Sequence, residues 1–185
     1  MSTASLRRDH ELIEKVIKAM ETTIQLLNDG KQIPASILLP VIDFSKIFTD
    51  VCHHSKEEKS LFPALEQAGM PHDMGPIAMM LLDHKRSREI GKEMEDSVKD
   101  YISSGNATKL ISDMQQYTEH ITEHLWKENN RLFMMAEARL QYVSKKVDKE
   151  LNDIEELKLQ ETGKTRDHYE KLVETLTLDV SQSKN

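Results

Sequence analysis

Apolar residues Ile13, Ile17, Met20, Ile24 and Leu27 recur at alternating steps of four and three, which places them on one stripe of an amphipathic helix. Three residues further back, the same stripe reaches His10, a polar side chain where an apolar one is expected. Asp29-Gly30 ends this first helix, since glycine is favoured just past a helix C-terminus. A second helix is predicted from about residue 34 to about 68, with Pro34 in its first turn and Pro40 placed to kink it. The run GMPHDMGP (residues 69–76) reads as a loop. The third helix carries Ile77, Leu81, His84, Gly91, Met94, Val98 and Tyr101 on one stripe and stops at Ser104-Gly105. The fourth starts near Asn106 or Thr108 and carries Leu110, Met114, Tyr117, Ile121, His124, Glu128 and Met135.

Long helices with short connections predict an all-α fold, an up-down four-helix bundle over residues 1–142. Residues 143–185 read as a charged helical C-terminal extension, in which VSKKVDKELNDIEEL and DHYEKLVETL form two further amphipathic helices. The alternating, β-branched pattern of strands is scarce.

The polar residues on these stripes are metal-ligand types. His53 and Glu57 stand four apart, as do His124 and Glu128, and both segments reach Leu-Phe eight residues after the histidine. A histidine and a carboxylate four apart share a helix face, so both reach one metal, or the carboxylate bridges to a second. Imidazole with carboxylate suits iron or manganese, and zinc competes for the same donors. A lone histidine such as His10 or His84 on an apolar stripe is more often a hydrogen-bonded core residue. The case rests on convergence, because each of the four helices places a histidine on or near its inward stripe and two of them add a carboxylate.

On the second helix two registers compete. The apolar stripe Phe44, Ile47, Val51, Phe62, Leu65 favours His54 and Glu58, whereas correspondence with the fourth helix favours His53 and Glu57. At about 100° per residue the two choices point more than a quarter turn apart, so both cannot ligate from an undistorted α-helix. The earlier pair is preferred. His120, one turn before His124, is a further candidate. His72 and His168 read as solvated, Cys52 as a packed residue, Trp126 as a rim residue, and the methionines of GPIAMML and LFMMAE as core filler.

The 185 residues are 38% hydrophobic and 31% charged, with a net charge of -7, which argues against nucleic acid as a partner. One cysteine rules out an intrachain disulfide framework. No apolar run is long enough for a membrane span and the start lacks a signal-peptide core. The expected location is cytoplasmic.

The segments RRDHELIE, HHSKEEKSLFPAL, GPIAMMLLDHKRSRE and HLWKENNRLF resemble the successive signatures of the hemerythrin-like, HHE cation-binding family, over roughly residues 5–140. The stretch from His53 through MGPIAMMLLDH particularly resembles the diiron domain of bacterial proteins that repair iron centres. The resemblance implies two non-haem iron ions held by His10, His53, Glu57, His84, His124 and Glu128, with the two glutamates bridging. His54, Glu58 and His120 remain as alternatives. Oxygen-carrying hemerythrins use five histidines, two of them spaced H-x-x-x-H on one helix. Here the third helix offers only His84, and that spacing occurs at His120 and His124.

The expected function is binding of, or response to, a small gaseous or peroxide ligand (oxygen, nitric oxide or peroxide) in sensing, storage or stress protection. The alternatives are an enzyme detoxifying peroxide or nitric oxide, and a metal-dependent interaction module whose extension contacts a protein partner or a second copy. A metal-free structural bundle would leave Glu57 and Glu128 buried without partners. The extension offers no ligand candidate except His168, so it is expected to be dispensable for metal binding.

Overall fold

The computed structural model describes residues 3–183, and within them every regular element is helical. The elements are α1 (Ala4–Asn28), α2 (Ala35–Asp43), α3 (Phe62–Gln67), α4 (Pro76–Ser104), α5 (Thr108–Lys127), α6 (Phe133–Arg139), α7 (Ser144–Glu161) and α8 (Arg166–Gln182). Two π-helical segments, Phe44–His54 and Glu57–Leu61, join α2 to α3 in one continuous rod over residues 35–67. A third, Glu128–Leu132, joins α5 to α6.

Local chemistry sets the rod ends. The amide of Lys31 donates to the Leu26 carbonyl at 2.9 Å around Gly30, whose φ of +77° a side chain would resist. Gly105 closes α4 the same way at φ +75°, donating to the Tyr101 carbonyl at 2.8 Å. Pro40 does not end its helix. The rod continues through it and widens into the π-helical segment beginning at Phe44.

The stripes pack as the periodicity requires. α1 lies against α5 and α8, and α4 against α5. Burial divides into two apolar clusters. One gathers Ile13, Met20, Leu38, Phe48, Cys52, Ile90, Met94, Tyr117 and Leu125. The other gathers Leu6, Leu61, Phe62, Leu65, Ile77, Met80, Leu132 and Phe133. The extension enters both: Val147 and Leu151 of α7 join the second cluster, while Leu159 of α7 and Tyr169, Val173, Leu176 and Val180 of α8 join the first. Each fully buried aliphatic or aromatic side chain of this kind contributes about 1.5–3 kcal/mol.

The methionines divide. Met80 is buried, but Met79 and Met134 are exposed, so the two Met-Met pairs supply one core face and one surface face rather than uniform filler. Trp126 lies at the surface under the Arg131 guanidinium, 5.3 Å from the ring centroid.

Candidate metal centre

Between the two apolar clusters lies a polar layer. Each rod crosses from one cluster to the other at its ligand-type residues: α1 between Leu6 and Ile13, the second rod between Cys52 and Leu61, α4 between Met80 and Ile90, the fourth rod between Leu125 and Leu132. His10, His53, His54, Glu57, His84 and Glu128 fall in those intervals, His124 stands one residue before the last of them, and all seven are buried.

Their donor atoms converge. His10 Nε2 lies 3.1 Å from Glu128 Oε2, and His124 Nε2 lies 3.4 Å from Glu128 Oε1. His84 Nε2 lies 3.3 Å and His53 Nε2 3.8 Å from Glu57 Oε2. One group (His10, His53, Glu128) and another (Glu57, His84, His124, Glu128) each bring their ligand atoms within 4.8 Å of one another, with Glu128 common to both. A third group of the same compactness joins His54 to His84 and His124.

The π-helical segments explain how adjacent histidines enter together. An i→i+5 ladder accommodates an extra residue per turn, a distortion found often at functional sites. His53 and His54 close the first such segment and are both buried, and the wider turn sets adjacent side chains closer in angle than the 100° of an α-helix. Glu57 and Glu128 each begin a five-residue π-helical segment, and the two segments match at an offset of 71 (57+71=128, 61+71=132). The sequence echo is therefore also a backbone echo. Glu58 points elsewhere, accepting from Arg88 at 2.7 Å beside His84 Nδ1 at 2.8 Å.

The outer ring nitrogens show the same order. His10 Nδ1 meets Asn129 Oδ1 at 3.0 Å, His53 Nδ1 meets Asp9 Oδ2 at 3.1 Å, and His54 Nδ1 meets Asp50 Oδ1 at 3.2 Å. His84 Nδ1 sits on Glu58, while His124 Nδ1 faces Asp83 Oδ2 from 3.6 Å without a hydrogen bond; all five imidazoles thus turn Nδ1 toward an oxygen and Nε2 to the centre. Metal-ligating histidines carry such an oxygen on the outer nitrogen, which fixes the tautomer and the ring orientation. Meanwhile Nε2 of all five histidines and both oxygens of Glu57 and Glu128 are buried without a hydrogen-bond partner. Nine orphaned atoms (5+4) facing one volume are costly in a protein interior, and a bound cation would satisfy them. The donor set fits a metal.

His120 stands apart. Its Nε2 lies 3.0 Å from the Asp83 carbonyl and 3.1 Å from Ser87 Oγ, outside all three groups. His72 is exposed beside Glu66, and His168 sits on α8 next to Tyr169.

Charges within the layer are unequal. Burial, reinforced by His84, His124 and His53, holds His54 well below the ordinary imidazole range, so it is neutral and its Nε2 lone pair is free. Burial also works against protonating His84, but Glu57 and Glu58 outweigh it and raise this imidazole to about 9. For Glu128, burial opposes ionisation, yet His124 and His10 overcome it and keep the carboxylate ionised.

A cleft of about 260 Å³ approaches this layer from the side. Lys46, Lys92 and Glu95 stand among its lining residues, as do Tyr117 and Gly91, and His54 and Asp50 meet it at the polar layer. The absence of a side chain at Gly91 leaves this space open.

Sequence reasoning missed the oxygens behind the rings. Asp9, Asp50, Asp83 and Asn129 were not singled out, although Asp-His occurs at both 9–10 and 83–84. The pairing crosses helices, since Asp9 serves His53 and Asp83 serves His124 rather than the histidine beside each.

A helical protein with histidines and carboxylates converging from successive rods is a cation-binding protein of the carboxylate–histidine class. The chain belongs to the hemerythrin family: the model of the hemerythrin HHE cation-binding domain matches residues 1–136. Membership implies metal binding, typically of iron. Comparison with curated proteins and with solved structures gave no match. No described helix is long and apolar enough to cross a membrane.

Proposed function

We propose that this protein is a non-haem diiron protein that binds or responds to a small ligand such as oxygen, nitric oxide or peroxide, in sensing, storage or stress protection. The reading takes the first four rods as an up-down four-helix bundle with the metals at mid-height. His10 and His53 would hold one ion, His84 and His124 the other, with Glu57 and Glu128 between them. His54 would add a third imidazole to the second ion, supplying the fifth histidine absent from the third helix. A diiron pair supplies open coordination positions and exchangeable electrons for a small ligand.

The observation that carries this reading is the set of orphaned Nε2 and carboxylate atoms facing one volume while each outer Nδ1 faces an oxygen. The chain's own contributions follow from it. The Nδ1 partners hold the rings in the ligating tautomer, the two apolar clusters exclude bulk water, and the Gly91 cleft leaves a path for a small molecule to reach the side of His54. Unequal imidazole counts, two from His10 and His53 against three from His54, His84 and His124, would make the two metal positions chemically distinct.

The test is aerobic purification from iron-supplemented cells, elemental analysis, and optical spectra before and after azide and nitric oxide. About two iron ions per chain and a spectral change with either ligand are expected. Less than about half an equivalent of any transition metal would overturn the metal assignment, since a site of this kind holds its ions. Full metal with no spectral response would make the centre coordinatively closed.

A further inference from the structure

The polar layer continues beyond the metal-type residues into the C-terminal helices. On α7, Glu155 lies one turn from Leu151 and one turn from Leu159, which belong to opposite apolar clusters. It thus meets the layer at the same height as the histidines. Its Oε2 accepts from Lys56 Nζ at 2.6 Å, and Lys56 is fully buried. Lys56 Nζ also donates to Ser5 Oγ at 2.6 Å and to Asp9 Oδ2 at 2.8 Å. The first residue of α8, Arg166, donates to Asp9 Oδ1 at 2.8 Å and to both Glu155 oxygens at 3.1 and 3.2 Å, with its guanidinium 5.7 Å from the Phe48 ring centroid.

Asp9 is the hinge of this arrangement. It is fully buried, and the oxygen that accepts from Lys56 also accepts from His53 Nδ1 at 3.1 Å. Two carboxylates and two cations balance in charge, so the cluster tolerates burial as a unit, but removing one member strands the rest. Half of its members, Glu155 and Arg166, come from beyond the segment matched by the family model.

We propose that the α7–α8 hairpin is a positioning element of the metal centre, in which Arg166, Lys56 and Glu155 fix the Asp9 carboxylate that orients His53. Asp9 has a choice of rotamers in an isolated α1. With Arg166 on one oxygen and Lys56 on the other it has one, and the His53 ring then has one orientation, Nδ1–H outward and Nε2 toward Glu57 and Glu128. A ligand's outer partner of this kind is worth about 10–100-fold in metal affinity. This inference rests on the metal-binding reading for its affinity consequence, but the orientation of His53 is a property of the metal-free chain.

The experiment uses the full chain with Arg166→Met, Arg166→Lys and Glu155→Gln, and with Glu170→Gln as control, since Glu170 contacts Arg166 only from the exposed side. In metal-free protein, the ring resonances of ¹⁵N-labelled His53, assigned by their loss in His53→Gln, report tautomer and exchange of the Nδ1 proton. Competitive cobalt(II) titration then reports affinity per folded molecule. Arg166→Met is expected to speed exchange of that proton and to weaken one of the two metal positions about 10–100-fold. Arg166→Lys should fall between, and Glu170→Gln should match wild type. An unchanged His53 signal in folded Arg166→Met overturns the proposal. Should that variant fail to fold, Arg166→Lys and Glu155→Gln decide, and an unmoved His53 signal in both is equally fatal. A wild-type chain that takes up no cobalt defeats the metal reading, while the His53 resonance still decides whether the hairpin orients the ring.

Discussion

Replacing Glu57 by glutamine should separate metal binding from fold stability. Glu57 is fully buried and neither of its oxygens has a hydrogen-bond partner. Its nearest cationic neighbour is His84, with Nε2 at 3.3 Å. Neutralising the carboxylate strands no charge, because His84 can release its proton. His84 nevertheless loses a partner that raises it, and a buried polar group left short of partners is costly, so metal-free Glu57→Gln is expected about 1–3 kcal/mol less stable than metal-free wild type. Metal changes the comparison. At a free-ion concentration about 100 times its dissociation constant, one ion stabilises wild type by about 2.7 kcal/mol. For a chain of this size that raises the melting temperature by about 5–11 °C, a rise that Glu57→Gln should lack at every metal concentration. Glu58→Gln removes instead an oxygen shared by Arg88 and His84 Nδ1 at the edge of the layer. Its affinity loss of about 10–100-fold should be recovered by adding more metal. Thermal unfolding of both variants across an iron(II) series under argon, with a chelator blank, makes the measurement. If Glu58→Gln abolishes the metal-dependent rise while Glu57→Gln keeps it, the assignment of the inward carboxylate is wrong.

Leu151→Ala should lower stability by about 2–5 kcal/mol, read from the urea midpoint, because Leu151 is fully buried in the second apolar cluster; a change under about 0.5 kcal/mol would show that α7 does not pack there. Gly91→Leu should slow azide or nitric oxide binding in stopped-flow while leaving iron content unchanged, since a Cβ at this position meets only Tyr117 Cε2 at 3.6 Å and the longer side chain projects into the cleft; unaltered rates would place the entry path elsewhere. His120→Ala should retain full metal, its Nε2 being engaged by the Asp83 carbonyl and Ser87, and loss of an ion would make it a ligand. Cys52 should resist a thiol reagent at pH 8 until urea unfolds the chain, as it is 1% exposed and burial pushes its thiol up to about 12; stoichiometric labelling of native protein would contradict its packing.

Much of the fold was legible in the one-dimensional pattern, because helical periodicity is a local property. The stripe from Ile13 to Leu27 and the run from Leu110 to Glu128 are buried as spaced, and the glycines at positions 30 and 105 stand at the helix ends where φ turns positive. The family was legible for the same reason, since its signatures are short segments within single helices. The register of the second rod was not. Periodicity at 100° per residue set His53 against His54, whereas the π-helical segment in which both are buried packs against α1, α4 and α7, contacts that no local spacing records.

The amino-acid sequence by itself determined which residues face inward on the first, third and fourth rods, and that a histidine interrupts each of the four stripes, with a carboxylate added on two. Tertiary structure alone decided the partners. That Asp9 serves His53 rather than its neighbour His10, and that Arg166 closes over Asp9 from an extension with no ligand of its own, are contacts between residues 44 and 157 positions apart. Helical periodicity acts over a few residues, whereas the desolvation cost that forces buried charges together acts on whatever the fold brings near. Spacing along the chain carries the first of these and no trace of the second.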